Sequence, residues 1–175
     1  MDNRQQEQEE QQQQLCYQEM LHRLLDYDPD TGIFMWKQKR KGIKTGIPLG
    51  CDNGFGYLRI TVAGKSEYAH RLAWIYSYGY WPTETIDHIN GNKSDNRIAN
   101  LRMATYAENS QNKRTAQSNN KSNILGVSWH KKANKWQVHI CTDRIRKYLG
   151  LFDDKYEAEQ TYINAKRSMH KFSTI

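Results

Sequence analysis

Apolar residues along this chain fall into short groups whose spacing alternates between helical and strand-like. Residues 15–25 carry leucines and a methionine at helical spacing, which predicts a short amphipathic helix. An alternating pattern with turn sequences between the groups predicts strands at 33–37, 57–62 and 66–69. Residues 70–78 predict a buried helix that ends at Gly79.

The second half of the chain also predicts strands and helices, without an internal repeat. A strand at 85–89, a polar loop, a return strand at 98–105 and a short helix at 106–114 lead into a polar stretch at 115–123. Three strands then follow at 125–130, 135–141 and 146–149, and a helix at 154–169 carries Ala158, Tyr162 and Ala165 on one face. Residues 1–14 are almost all Gln and Glu, and predict either a disordered tail or a frayed extension of the next helix.

These elements predict an α+β protein with two small domains. We expect a Gln-rich tail at 1–14, a first domain at 15–114, a linker at 115–123 and a second domain at 124–175. The low apolar content of 37% fits two small cores better than one large core.

The net charge of the chain indicates which class of molecule it binds. The net charge is +7 and the isoelectric point is about 9.3, which favours a polyanion, and nucleic acid in particular. No apolar run approaches the roughly 20 residues that span a bilayer, and the Gln- and Glu-rich start is unlike a signal peptide. Three scattered cysteines form no metal-binding pair or disulfide framework, so we expect a reduced, cytoplasmic protein.

The candidate catalytic and metal-binding residues lie between 86 and 109. Asp87 and His88 come at the end of a predicted strand, an amide-rich loop follows, and Asn100 and Asn109 lie beyond it. Hydrolysis of a phosphodiester needs a base that works near neutral pH and a cation that absorbs charge, and histidine and oxygen ligands suit these roles. Neighbouring strand residues point to opposite faces, so one site can use both Asp87 and His88 only at a bend or a strand end.

Each of these residues also has an ordinary structural interpretation. Asp87 can be a surface acid or a cap, and His88 can be a histidine with no role beyond packing. Asn96 and Asn100 can satisfy turn backbone, which asparagine does well. Glu108 is expected to be a solvated helix residue, and His70 fits a structural or DNA-backbone role better than catalysis.

Taken together, the segment resembles the HNH endonucleases with a ββα-metal fold, particularly the phage and intron-encoded group. The matching residues are Asp87-His88, Gly91-Asn92-Lys93, Asp95-Asn96-Arg97, Asn100-Leu101-Arg102 and Asn109, with His70-Arg71-Leu72 upstream. The resemblance implies that His88 is the general base, that Asp87 and Asn109 hold a divalent metal, and that Asn100 fixes the loop that orients His88. Since Asn109 stands where the wider family often has a histidine, Mg²⁺ or Mn²⁺ is expected.

The second domain is basic and resembles another family. Residues 113–150 contain nine Lys or Arg, a density typical of phosphate contact. Gly126-Val127-Ser128-Trp129, 135–140, 148–152 and 158–165 resemble an AP2 DNA-binding domain, which implies a three-stranded antiparallel sheet on one helix, with the sheet in the major groove. Ser128, His130 and Cys141 stand where plant members usually carry arginines, which implies looser base readout.

Strand alternation sorts the side chains of this sheet. Val127, Trp129 and Trp136 are expected to pack inward, whereas alternate positions face DNA. The residues that we expect to contact DNA across the chain are His70, Arg71, Lys93, Arg97, Lys113, Arg114, Lys121, Ser128, His130, Lys132, Gln137, His139, Arg144, Arg146 and Tyr148.

The resemblances imply a metal-dependent, homing-type endonuclease that hydrolyses duplex DNA, encoded by a phage or mobile element. The alternative is a non-catalytic DNA-binding regulator with a decayed HNH module, and a second alternative is a protein that binds or cuts RNA. No dimerisation pattern is visible, so a monomer is expected, and one catalytic set in a monomer accounts directly for a nick.

Overall fold

The chain divides into two compact units, Met1–Met103 and Ala104–Ile175. The structure, a computed structural model, describes residues 3–38, 45–142 and 144–174. Both units combine short antiparallel strands with helices, so the expected α+β class is confirmed.

The first unit contains three small sheets and two α-helices. Strands β1 and β2 form a hairpin, β3, β4 and β5 pair in that order, and β6 pairs with β7. Its elements are α1 (Asn3–Leu24), β1 (Leu25–Asp28), β2 (Ile33–Trp36), β3 (Cys51–Asp52), β4 (Leu58–Val62), β5 (Lys65–Tyr68), α2 (Ala69–Tyr78), β6 (Thr85–His88), a 3-10 turn (Ile98–Asn100) and β7 (Leu101–Ala104), whose last residue belongs to the second unit.

The core of the first unit lies against α2. Leu72 and Ile75 of this helix are fully buried, and they belong to one cluster with Leu21 and Leu25 from the α1–β1 junction and Phe34 of β2. Burying a side chain of this size stabilises the fold by about 1.5–3 kcal/mol. The cluster therefore fixes the β1–β2 and β3–β4 hairpins, and both of these hairpins contact the polar loop after β6.

Helix α1 begins at Asn3, so of the two alternatives predicted for the Gln-rich start the structure shows the extension of the next helix. Residues 4–13 of this extension are exposed throughout. Gln and Glu have high helix propensity, so the packed C-terminal half of the helix can extend into them. Neither α1 nor any other helix in the described ranges is long and apolar enough to cross a membrane.

The second unit is a three-stranded antiparallel sheet covered by one long helix. The strand order is β10-β9-β8, and the buried side chains Ala158, Tyr162 and Ala165 of the helix pack in one cluster with Val138 and Ile140 of β9, so the predicted apolar stripe is confirmed. Its elements are α3 (Tyr106–Gln111), β8 (Val127–His130), β9 (Lys135–Thr142), β10 (Ile145–Phe152) and α4 (Lys155–Met169).

A β-bulge interrupts β10. Tyr148 pairs with His139, but Gly150 pairs with the next residue along β9, Val138, so Leu149 is an extra residue on its strand. The bulge lies within the pairing of β10 with β9, whereas β8 and β9 pair without interruption.

The predicted linker is part of the second unit. The Ser122 hydroxyl is buried and donates to the carbonyl of Val127 at 2.7 Å, and the Asn120 amide donates to the carbonyl of Ile124 at 2.8 Å. The boundary therefore lies before the predicted one: residues 104–114 belong to this unit because the C-terminal segment returns to them. Lys166 donates to the Lys113 carbonyl, and Thr174 donates to Asn112 at 2.8 Å.

The buried lysine in this contact, Lys166, should make the free energy of unfolding depend on pH. Burial, with a smaller effect of Arg114, lowers the pKa of Lys166 to about 8. The unfolded chain then binds more protons than the folded one between about pH 8 and 10, so the free energy of unfolding rises with pH in that window. We expect Lys166→Met to remove a rise of about 2 kcal/mol, measured by urea unfolding at pH 7.5 and 9.5. Equal changes in both proteins would contradict this assignment.

Candidate functional site

Asp87 and His88, the last two residues of β6, are both buried. Their exposed fractions are 5% and 4%. Their contacts differ, since Asp87 contacts the neighbouring strand and His88 contacts the loop that follows. The site therefore wraps around the strand end, which is one of the two arrangements that the alternation of strand side chains permits.

Arg102 is the partner of Asp87. Its Nε and Nη2 atoms both donate to Oδ2 of Asp87, at 2.9 and 2.7 Å. Two residues after Asp87, the Ile89 amide donates to the carbonyl of Asn100, which stands two residues before Arg102. The chain therefore runs in opposite directions through these two segments. A charge-assisted contact to a buried carboxylate fixes its orientation. The sequence pattern assigned no role to Arg102.

His88 is oriented by an amide of the loop. Its Nε2 lies 3.4 Å from Oδ1 of Asn96, and Nδ2 of Asn96 donates to the Ser94 carbonyl at 3.1 Å. That second bond turns Oδ1 of Asn96 toward the ring, so the contact fixes the orientation of the imidazole. Burial lowers the pKa of His88, while the Asn96 contact and the Asp87 charge raise it by less.

Aromatic rings surround His88. The His70 ring lies 5.1 Å from it, edge to face, and the Tyr57 ring lies 5.9 Å from it. Tyr68 stacks on His70 at 5.3 Å. Burial, with smaller effects of His88 and Arg71, lowers the pKa of His70 to about 3. His70 is thus buried beside His88, which favours the structural role predicted for it over contact with the DNA backbone.

Asn100 joins the two ends of the polar loop. Its Oδ1 accepts from the Asn90 amide at 2.9 Å, and its Nδ2 donates to the Asp95 carbonyl at 2.8 Å. The side chain is itself buried. Both bonds are to backbone, so the residue sets the path of the chain between His88 and β7.

Asn100→Ala is expected to lower the free energy of unfolding by about 2 kcal/mol, because two backbone groups lose their partners. Urea unfolding of the full chain measures this loss. Asn92→Ala is the matched control, since Asn92 is exposed in the same loop and its side chain accepts from the amide and the hydroxyl of Ser94, two residues away. A loss as large in the control would contradict the special place of Asn100.

The β1–β2 hairpin supports this loop from below. The Tyr27 hydroxyl donates to the Asn96 carbonyl at 2.8 Å, and the Ile98 amide donates to the Pro29 carbonyl at 3.3 Å. Gly32 has φ +73°, and a Cβ placed on it would lie 2.4 Å from the backbone nitrogen of Arg97. The sequence pattern identified this turn, but not its contact with residues more than 60 positions away.

Asn109 lies on α3, in the second unit, and is half-buried. The helix begins with a capping box, in which Thr105 accepts from the Glu108 amide and Glu108 accepts from the Thr105 amide. Glu108 is therefore a capping residue. Within the described ranges, no group of three His, Cys, Asp or Glu side chains could hold a metal ion.

The cations of the first unit that were expected to meet DNA have intramolecular contacts. Arg97 forms an ion pair with Asp95 at 2.6 Å, and the Lys93 ammonium donates to the Phe55 carbonyl at 3.1 Å. Arg71 lies 4.0 Å from Glu67 and over the Trp81 ring. Lys93 and Arg97 are exposed, so these contacts leave them on the surface beside the loop.

In the second unit, the outward face of the sheet carries the predicted polar set. Pairing places Ser128 opposite Gln137, Tyr148 opposite His139, and Arg146 opposite Cys141. Arg146 also lies 3.2 Å from Nδ1 of His139. The predicted sorting of these residues is therefore confirmed as a shared face, whereas contact with DNA stays a prediction.

Other predicted residues of this unit are placed differently. Trp129 is 44% exposed, and its ring lies against that of Trp136 instead of within the core. His130 accepts from the Ala133 amide and so closes the β8–β9 turn. Arg114 donates to Thr174. The remaining predicted cations are exposed: Lys113, Lys121, Lys132 and Arg144.

Comparison with known proteins identifies part of this arrangement. Residues 67–111, from β5 to α3, match the HNH endonuclease family. The chain therefore carries an HNH endonuclease domain. This domain contains Asp87, His88, Asn100 and Asn109, and extends eight residues beyond the boundary between the two units.

Two individual proteins are similar to the chain. Protein 3.8 of Escherichia phage T7 is 44% identical over 80 residues, which is 45% of this chain and 65% of that protein. This chain thus spans less than two thirds of the length of that relative. A solved structure described as DNA binding and cleavage by the HNH homing endonuclease I-HmuI has a TM-score of 0.39 and 26% identity, and the match covers 71% of each chain.

Proposed function

We propose that this protein is a metal-dependent DNA endonuclease of the homing type, which nicks one strand of a duplex as a monomer. The observation that supports this most is the environment of His88. A buried imidazole, oriented by Asn96 and next to the Asp87–Arg102 pair, lies within the part of the chain that matches the HNH endonuclease family. The phage relative supports a phage origin, and with it a place in the host cytoplasm.

In this proposal His88 is the general base. Its neutral imidazole takes a proton from a water molecule, and the water oxygen attacks the scissile phosphorus. The bond from phosphorus to the 3′-oxygen breaks, and the leaving oxygen takes a proton from solvent, which gives a 5′-phosphate and a 3′-hydroxyl. Because burial lowers the pKa of His88, its imidazole is neutral and able to accept this proton at neutral pH.

Asp87 and Asn109 are the proposed ligands of the metal. A carboxylate and an amide oxygen are hard donors of the kind that Mg²⁺ and Mn²⁺ take, and such ions keep several waters. Oδ2 of Asp87 accepts from Arg102, but a carboxylate has about four lone-pair positions and can serve a second cation. A bound divalent cation would supply charge stabilisation for the phosphate and the leaving oxygen. Arg102 would keep Asp87 oriented for that role.

The second unit is proposed to supply affinity through its sheet, in the manner of an AP2 domain. The shared outward face presents hydrogen-bonding side chains from all three strands, including Ser128, Gln137 and Arg146. Exposed Lys121, Lys132 and Arg144 would contribute the salt-dependent part of binding. A sheet in a groove favours duplex DNA over RNA, because the A-form major groove is too narrow for side chains to read.

Purified protein incubated with supercoiled plasmid that carries its own genomic neighbourhood tests the function. We expect open-circle DNA with Mg²⁺ or Mn²⁺, and none with EDTA. Protein with His88→Ala, purified in the same way, reports any contaminating nuclease. Tight, salt-sensitive binding without cleavage under every condition would favour the non-catalytic regulator. Linear product at the earliest times would contradict nicking by a monomer.

A further inference from the structure

The tip of the β3–β4 hairpin presents an aromatic side chain to solvent. Phe55 is 76% exposed, and it stands between Gly54 and Gly56, whose φ values are +83° and +84°. Leaving a phenylalanine in water forfeits the stabilisation that its burial would give. A partner that covers this ring would recover that stabilisation.

The backbone under this ring is held in one conformation. Oδ1 of Asp52 accepts from the amides of Gly54 and Gly56, at 2.8 and 3.0 Å. Oδ1 of Asn53 accepts from the amides of Phe55 and Tyr57, at 2.9 and 3.3 Å. A residue presented by a pre-ordered turn loses little backbone entropy when it binds.

The tip is joined to the candidate active site. Lys93, from the loop after His88, donates to the Phe55 carbonyl and lies 4.7 Å from the centre of the Tyr57 ring. The Tyr57 ring lies 5.9 Å from the ring of His88. Phe55 is two residues from Tyr57, a Cα separation of at most about 7 Å. A duplex whose phosphate reaches His88 therefore passes the tip within a few base steps, each about 3.4 Å.

We propose that Phe55 is a wedge that inserts between two base pairs near the scissile phosphate, with Lys93 as the adjacent phosphate contact. This rests on the proposed function, since it places a duplex at His88. Apolar wedges unstack a base step and kink the duplex, and an aromatic ring can stack on the base it exposes. The opened step would let the scissile phosphate reach a buried imidazole that a straight duplex meets less well.

Two measurements on the full chain test the wedge. The first uses a duplex that binds the protein, with 2-aminopurine at successive steps, in EDTA so that no cleavage is needed. We expect wild-type protein to raise the fluorescence at one step, and Phe55→Ala to abolish that rise. The second measures nicking, for which we expect about a ten- to hundred-fold loss in Phe55→Ala. A mismatch placed at the same step should restore the rate to within about threefold.

Tyr106→Ala is the matched control, because Tyr106 is 80% exposed on α3 and its loss should change neither readout. Phe55 belongs to neither hydrophobic cluster of the described residues, so its replacement should leave urea unfolding unchanged. Normal cleavage and fluorescence in Phe55→Ala would overturn the wedge and leave the nuclease intact. Fluorescence that rises in EDTA without cleavage in any metal would support the wedge and overturn the nuclease. Concentration-dependent dimers that Phe55→Ala abolishes, with no fluorescence change, would assign the ring to self-association and overturn the wedge.

Discussion

His88→Ala is expected to lower the rate of metal-dependent nicking by about a thousandfold, which is within the range that a positioned general base contributes. The loss should fall on the catalytic step, because His88 is buried, whereas the cations that would hold the duplex are exposed. Single-turnover nicking of a plasmid measures the rate, and a gel-shift titration in EDTA measures DNA binding, which we expect to change less than threefold.

Loss of packing must be separated from loss of the base. His70→Ala is the matched variant, since it removes a second buried imidazole whose ring lies 5.1 Å from that of His88. We expect it to cost about as much stability but only about tenfold in rate. Added imidazole should restore part of the activity of His88→Ala and none of the activity of His70→Ala. Equal losses of rate in both variants, without rescue, would count against a base at residue 88.

Gly32→Ala is expected to lower the free energy of unfolding by about 4 kcal/mol. A left-handed backbone costs an alanine about 1–2 kcal/mol, and overpacking costs a further 1–3 kcal/mol or so. Here the added Cβ would lie 2.4 Å from the Arg97 nitrogen and 2.5 Å from the Asn96 carbonyl carbon, and neither backbone atom can turn aside. Urea unfolding measures the loss. Activity should also fall, because Asn96 orients His88.

Gly64→Ala separates the two causes. Gly64 has φ +79°, close to that of Gly32, but a Cβ there would meet nothing within 4 Å. We therefore expect a loss of about 1 kcal/mol and no change in nicking. If the two alanine variants were equally stable, close packing of the β1–β2 turn on the polar loop would not be a source of stability.

The sequence predicts the parts of this protein that depend on local patterns. Alternation identified β4, β6 and β9, helical spacing identified α2 and α4, and the polar loop after β6 was correctly placed between two strands. These elements are encoded by residues close together in the chain. The site residues Asp87, His88 and Asn100 could be identified from the sequence for the same reason, since they lie within one short segment.

What the sequence missed depends on contacts between distant residues. The support of Asn96 by Tyr27 joins residues 69 positions apart, and the contact of Lys166 with residue 113 moves the domain boundary. Alternation also assigned Trp129 to the inner face correctly, but it does not tell how far α4 reaches along that face. How much of a strand a packed helix buries depends on the length and angle of that helix, and the sequence of a single strand does not determine it.

The extra residue in β10 has a consequence for insertions and deletions. Before Leu149, even-numbered residues such as Arg146 face away from α4, but after it Phe152 pairs with Trp136 on the helix side. Removing Leu149 would place Gly150 directly after Tyr148, and strict alternation would then keep both Arg146 and Phe152 on the sides that they occupy now. Homologous sheets of this kind should therefore tolerate the loss of one residue at this position, whereas a deletion inside the uninterrupted pairing of β8 with β9 would turn the residues beyond it to the opposite face.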